Sequence, residues 1–415
     1  MLQISSLLCS QGKTDSAQVY ASDAIKLAKE ERMENLATNG LIDLGNSFLA
    51  REEYLKAEQH FRQALEFALN DDGHRNEARA LLALSSLFVQ QHKPDEALQF
   101  IKEALPFYQQ GGYNKEISQA YILLGFASKM KTDYSTAVES FEKAAQLGEV
   151  TQRALALTGL GTVLTDQEQY PKALQYFEQS NKLYESMNNN YSTAFSQFNV
   201  ADMLSKLGLV SEANQILAKV EKIFAENENT QRQLQVKFLL LKAQLALSQG
   251  NYAEAYKITK QISVKKDLQI ASETYIVMGL LQTLSKSQNI DGVQTCVKAL
   301  NTAMQTNDLK IVNTAKLALA EAFLKVGNNK EALENSLEAK DYFVSTGQKE
   351  SGWRALLIAA KSSKQNGDYE FSRQYASSAH ETLSSLKNDW GEEYFKSYSN
   401  KADIKLYLEQ AQELK

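Results

Sequence analysis

The chain is 415 residues long, with a net charge of −5 and only three prolines. Its acidic and basic residues are interspersed, so there is no basic stripe for nucleic acid. No run of about 18 apolar residues is present to span a membrane. Two distant cysteines, Cys9 and Cys296, fit a reducing compartment better than a disulfide framework.

The dominant pattern is a repeat. Ten small residues, Ala17, Ala57, Ala97, Ala137, Ala173, Ala213, Ala255, Val293, Ala332 and Ser372, follow one another at steps of 40, 40, 40, 36, 40, 42, 38, 39 and 40 residues. Self-similarity at such a period means stacked supersecondary units, each packed on its neighbours, rather than one globular core. Projecting the register back from Ala17 puts Met1 inside the first helix of the first unit, without a cap and with Ile4, Leu7 and Leu8 uncovered. The expectation is a piece of a longer protein, with an output domain on the N-terminal side. The N-terminus has neither a charged leader nor a small-residue cleavage site, and Ser6-Leu7-Leu8-Cys9 is a poor lipoprotein signal, so the expected location is cytoplasmic.

The second unit reads Leu41, Leu44-Gly45 and Phe48, a polar break at Arg51-Glu52-Glu53, then Tyr54, Ala57, Phe61 and Ala64. Apolar residues at helical spacing on both sides of the break predict two amphipathic helices in a tight hairpin. Small Gly45 and Ala57 let the helices approach, and Phe61 fills the space beyond. The fourth unit repeats this with Tyr121, Leu124-Gly125, Tyr134, Ala137, Phe141 and Ala144, and the fifth with Leu157, Leu160-Gly161, Tyr170, Ala173 and Phe177.

Turn signals fall between the expected helices. Within units they are Gly12-Lys13-Thr14, His92-Lys93-Pro94-Asp95, Lys131-Thr132-Asp133, Gly208, Gly250-Asn251, Gly327-Asn328-Asn329 and Gly367-Asp368. Between units they include Asn70-Asp71-Asp72-Gly73, Gly111-Gly112, Asn188-Asn189-Asn190, Asn227-Glu228-Asn229, Asn307-Asp308 and Gly347. Glycine and asparagine are expected as left-handed caps. Pro94 and Pro171 fall at helix starts, where a missing N–H does no harm, and Pro106 is expected to help end its helix. No stretch alternates with period two, so no strand is expected.

These residues resemble the tetratricopeptide repeat family over essentially residues 1–385. The units are longer than the family's common one and are similar to the repeats of kinesin light chains and of some bacterial peptide sensors and signalling proteins. The resemblance implies an all-α, right-handed α-α superhelix of about ten helix-turn-helix repeats over residues 1–387, with a capping segment at 388–415. It also implies that the first helix of each unit lines the concave side.

Chemistry-bearing motifs are few. His60, His74, His92 and His380 are scattered and form no metal-ligand spacing. Neither cysteine lies in a nucleophile signature. Gly111-Gly112-Tyr113 joins two helices without a following Lys-Ser/Thr and is a helix terminator, not a phosphate loop. Kinase and hydrolase signatures are missing. The expectation is no enzyme, no cofactor and no metal.

The groove is therefore the candidate site. Projected from the Leu-Gly register, its lining includes Asn39, Asn46, Arg79, Gln119, Phe126, Thr158, Thr162, Thr165, Phe195, Phe198, Asn199, Asp202, Lys237, Gln244, Tyr275 and Gln282. Amides offer a partner's backbone both donor and acceptor, and aromatics are frequent interface anchors. The family's carboxylate clamp would use lysine, asparagine and arginine on successive first helices. Asn46 and Arg79 occupy clamp-like places, but Leu82 and Ser86 stand where the lysine and amide would be, which argues against capture of a C-terminal carboxylate. The tail from Asn388-Asp389-Trp390-Gly391 to Asp403-Ile404 resembles the end of repeat regions that follow serine/threonine kinase domains in some environmental bacteria, with Lys401-Ala402 departing from that pattern.

Two functions stay open at this point. One is a scaffold that binds a protein or peptide segment along the groove, in bacterial signalling. The other is a ligand-sensing regulatory domain of a larger kinase or transcription regulator.

Overall fold

The computed structural model describes residues 1–10, 13–69, 74–187, 190–226, 232–262, 267–284, 289–306 and 308–414. Gly12, Asn70 to Gly73, Asn188-Asn189, Asn227 to Asn229 and Asn307, named above as turn signals, lie outside the described residues. Among the described residues the chain is helical throughout, with no strand.

Each repeat is a hairpin. In order they are α1 (Leu2–Ser10) with α2 (Thr14–Glu30), α3 (Glu34–Leu49) with α4 (Tyr54–Leu69), α5 (His74–Gln90) with α6 (Pro94–Gly111), and α7 (Asn114–Met130) with α8 (Tyr134–Leu147). Then come α9 (Val150–Asp166) with α10 (Tyr170–Ser186), α11 (Asn190–Lys206) with α12 (Val210–Glu226), and α13 (Arg232–Ser248) with α14 (Tyr252–Thr259). The last three pairs are α15 (Leu268–Leu284) with α16 (Asn289–Ala303), α17 (Leu309–Lys325) with α18 (Asn329–Ser345), and α19 (Lys349–Gln365) with α20 (Tyr369–Trp390). Two short helices follow, α21 (Glu392–Ser399) and α22 (Ala402–Gln412).

The repeating alanine is the reason these hairpins close. The eight alanines from Ala17 to Ala332 at this position all have 0% exposure. Opposite them, glycine removes the remaining obstacle. A Cβ on Gly45 would lie 2.4 Å from the Phe61 ring, and one on Gly125 2.7 Å from the Phe141 ring. Gly159, in the next hairpin, presses on the same Phe141 ring, where a Cβ would lie 2.3 Å away. One phenylalanine thus fills the gap within its own hairpin and the seam to the next.

In the eight repeats whose turn between the two helices lies wholly among the described residues, that turn places one residue in the left-handed region. Glycine does so at Gly208, Gly250, Gly327 and Gly367, as the turn signals led us to expect. In four other repeats a side-chain-bearing residue takes the position instead: Glu52, His92, Thr132 and Glu168, with φ of 61°, 56°, 59° and 58°. Such a conformation costs about 1–2 kcal/mol per residue; the turns at Glu52, His92 and Thr132 fall at the polar breaks named above, and the turn at Glu168 is the one of these four that the turn signals did not include. The expectation for Pro106 is also corrected. It sits inside α6, which continues to Gly111 and ends on Gly112 at φ 65°. The left-handed glycine, not the proline, stops the helix.

First helices pack on first helices of neighbouring repeats: α1 on α3, α3 on α5, α5 on α7, and again α11 on α13, α13 on α15, α15 on α17, α17 on α19. Second helices pack on the flanking first helices. The layer that touches itself directly has the smaller radius, so the first helices form the inner layer. The chain divides into two compact units, Met1–Val163 with Gln179–Asn188, and Leu164–Glu178 with Asn189–Lys415. In unit 1, Ile4 and Leu7 of α1 are exposed, and the core runs through Leu41, Phe61, Leu84 and Phe88. In unit 2, one core cluster takes in Tyr170 and Phe177 of α10, Leu204 of α11, Phe238 of α13, Trp353 of α19, and Trp390, Tyr398 and Ile404 of the C-terminal segment.

Replacing Ala137 by Leu is expected to destabilise unit 1 by about 1–3 kcal/mol through overpacking. Chemical denaturation monitored by circular dichroism checks this, and an unchanged midpoint would show that the Ala137 contact is not the tight one.

Candidate binding surface

The inner layer of unit 1 carries a polar patch. Asn39, Asp43 and Asn46 lie at i, i+4 and i+7 on α3, one face of a helix. Arg79 of α5, one repeat on, donates from Nη1 to Asn39 Oδ1 at 2.5 Å. About one turn N-terminal, Asn76 Nδ2 donates to Asn35 Oδ1. Burial raises the Asp43 carboxyl to about 6, with Arg79 acting in the opposite direction. The projected register included Asn39, Asn46 and Arg79 but passed over Asp43, although its i+4 spacing from Asn39 was available. Leu82 is buried in the unit 1 core and offers no group to a clamp. Gln119 is exposed on α7. Phe126 turns toward its own hairpin and meets the Phe141 ring edge-on at 4.9 Å. Thr158 bonds to Ala154 O and the Ser180 hydroxyl, and Thr162 to Gly159 O, so both hydroxyls are spent on helix carbonyls and packing.

In unit 2, Phe195, Phe198, Asn199 and Asp202 lie at i, i+3, i+4 and i+7, one face of α11. Both phenylalanines are partly buried and pack against the unit 2 core. Asp202 pairs with Lys206 at 3.1 Å, and Thr165 bonds to Met203 Sδ at 3.3 Å. Asn199 is half-buried, and its Nδ2 is buried without a hydrogen-bond partner. Next along the layer are Lys237 and Gln244 of α13, both half-buried. Facing Lys237 from α15 is Glu273, whose carboxyl is raised by burial and partly restored by a bond from Gln269 and by Lys237 and Lys206. The register projection named Tyr275 and Gln282 on α15 instead. Two residues correspond to about 200° of helix, and both of these side chains turn to α16. Lys298 Nζ sits 4.3 Å over the Tyr275 ring, and Thr295 donates to Gln282 Oε1 at 2.6 Å. This part of unit 2 is thus more charged than the projection implied, with two carboxylates, Asp202 and Glu273, set among two ammonium groups, Lys206 and Lys237.

A second feature of unit 2 has no counterpart in the sequence reading. The turn between α9 and α10 meets the starts of α17 and α19. Lys310 donates to Asp166 at 2.7 Å. The buried Glu168 carboxylate accepts from Ser351 N–H at 3.0 Å and from Ser351 Oγ at 2.5 Å. An open cleft of about 520 Å³ borders this contact, lined by Gln167 to Gln169, Thr346, Gly347, Lys349, Leu386, Asp389 and Trp390. Among the described residues no three His, Cys, Asp or Glu side chains gather as metal ligands, and no helix is long and apolar enough to cross a membrane.

Known families and structures agree with this geometry. Tetratricopeptide repeat models match residues 34–110 and 153–189. No curated protein matches the sequence. Among solved structures, a Rap protein complexed with Competence and Sporulation Factor is 13% identical, with a TM-score of 0.54 over 82% of this chain and 99% of that one. The Rap conjugation gene regulator of the plasmid pLS20, in complex with the Phr* peptide, is 13% identical, with a TM-score of 0.55 over 76% and 98%. NprR in complex with its cognate peptide NprX is 15% identical, with a TM-score of 0.52 over 81% and 99%. At these identities the likeness establishes the fold, an all-α superhelix of tetratricopeptide repeats.

A carboxyl raised in the folded state weakens the fold as pH climbs from its unfolded value, about 4, through its folded value near 6. Asp43→Asn should therefore remove a loss of unit 1 stability on the order of 1 kcal/mol between pH 4.5 and pH 7, after discounting for partial solvent exposure. Denaturant titrations of both proteins at the two pH values check it, and parallel pH responses would contradict it.

Proposed function

Because the chain is a tetratricopeptide-repeat protein, we propose that it is a binding scaffold whose inner layer in unit 2 holds an extended protein or peptide segment. The observation that carries this is the α11 face. Asn199 Nδ2 is buried without a partner, and such a donor is disfavoured unless something satisfies it. A peptide carbonyl laid along the layer does so, and the asparagine oxygen can accept the neighbouring N–H. Phe195 and Phe198, one turn or less away, keep part of their rings uncovered beside it, as anchors for an apolar side chain. Asp202, Lys206, Lys237 and Glu273 supply two charges of each sign around this point, which selects an occupant by complementarity rather than by net charge.

The similar structures support the choice of occupant, since three of them are complexes with a peptide or a named factor. The setting we assign is bacterial signalling in the cytoplasm. The chain acts by holding a partner and contributes no reaction centre of its own.

The test begins by selecting binders from a library of random decapeptides against the whole chain. The strongest is then titrated calorimetrically. Phe198→Ala is expected to weaken binding by about 1–3 kcal/mol, the scale of a lost anchor, with helicity and melting unchanged. Equal affinity, or a loss that tracks unfolding, removes Phe198 from the binding surface.

A further inference from the structure

We propose that the C-terminal segment 388–414 is a releasable clasp that holds unit 2 closed by docking on the Glu168 turn, and that release of this clasp admits the occupant to the inner layer. The gating half of this rests on the binding reading above, whereas the clasp itself does not.

The clasp joins parts of the chain far apart in sequence. Trp390 donates from Nε1 to Glu168 O at 2.8 Å and lies against the Tyr170 ring at 5.2 Å. Tyr398 stands edge-on to Trp390 at 5.1 Å, and its hydroxyl donates to Glu350 Oε1 at 3.0 Å. Trp353 donates to the same hydroxyl at 3.2 Å. The backbone of α21 also rests on the next turn. A Cβ on Gly208 would lie 2.4 Å from Ser397 O, so a glycine is needed there for α21 to dock. The segment therefore touches two intra-repeat turns at the start of unit 2 while α22 packs on α19 and α20 at its end.

Glu168 differs from its counterparts by being buried. Glu52, His92 and Thr132 take the equivalent left-handed position in earlier repeats and are exposed, and Gly208, Gly250, Gly327 and Gly367 take it in later ones, whereas Glu168, at φ 58°, is 4% exposed. Burial, with Glu350 adding to it, pushes the Glu168 carboxyl up to about 7, against the bonds from Ser351 and the pull of Lys310. The other groups facing it are already engaged. Asp166 is paired with Lys310. Lys349 is held by Asp389 and Ser385. Arg354 lies 3.5 Å from Glu350 and 3.7 Å from Glu321. Two buried carboxylates thus share one joint, and the bordering cleft brings solvent to its edge. The closed form retains a proton that the open form releases, so closure is favoured at mildly acid pH and weakens as pH rises through 7.

Hydrogen exchange of the whole chain, read by mass spectrometry and corrected for intrinsic rates, tests the clasp without any ligand. Opening of 388–399 and 166–170 is expected to rise about tenfold from pH 6 to pH 8. Glu168→Gln, neutral at both, should abolish that rise. Gly208→Ala should expose 388–399 at both pH values while protection in α7 and α8 stays unchanged. Exchange of 388–399 that is independent of pH, a pH response kept in Glu168→Gln, or full protection of 388–399 in Gly208→Ala overturns the clasp. The selected decapeptide then tests gating. Its affinity should rise about tenfold over the same interval in the parent chain and not in Glu168→Gln, and a pH-independent affinity overturns the gating while leaving the clasp in place.

Discussion

Everything in this molecule depends on how closely two helices of a hairpin approach at one small residue. The alanine at the fourth position of eight of the ten second helices has no exposed surface and no side chain to spare. Its counterpart on the first helix is a glycine in the best-defined repeats, and the phenylalanine one turn further on closes over both. With close packing at that point the remaining apolar face of the first helix stays available for the next repeat. Without it the hairpin would splay, and neither layer would continue.

The same contact sorts residues into those that can work on a partner and those that cannot. Positions on a first helix that turn toward the second helix are used up by the hairpin, as for Phe126 on Phe141 and Tyr275 under Lys298. Positions turned about 100–200° away lie on the inner layer. There the side chains are polar or half-buried, and their neighbours come from the adjacent repeat, as Asn39 and Arg79 show. A groove of this kind gains binding energy by offering preformed groups to an extended chain, since ordering of the scaffold has already been settled by packing.

Unit 2 adds a constraint that the repeat does not contain. A buried glutamate in a left-handed turn, two buried carboxylates side by side and a tryptophan donating to a turn carbonyl bring together residues up to 222 positions apart. Each of these groups is unfavourable to bury alone. Together they satisfy one another through Ser351, Tyr398 and Arg354. An arrangement satisfied only as a set is lost as a set, which is the physical basis for a joint that opens cooperatively.

The sequence by itself determined the repeat, the hairpins and the all-helical class. The reason is that helical periodicity and small-residue contacts are local and recur ten times. It named Asn39 and Arg79, which the structure joins by a hydrogen bond across two repeats. What it left undetermined required knowledge of partners distant in the chain. Polar breaks marked the turns at Glu52, His92 and Thr132 but not which residue would be left-handed, and the turn at Glu168 carried no such mark. Glu273 replaces Tyr275 on the inner layer because a shift of two residues turns a side chain to the opposite flank. The docking of Trp390 and Tyr398 on the Glu168 and Gly208 turns follows no sequence spacing. Only the accumulated path of the intervening helices decides which turn the C-terminal segment meets.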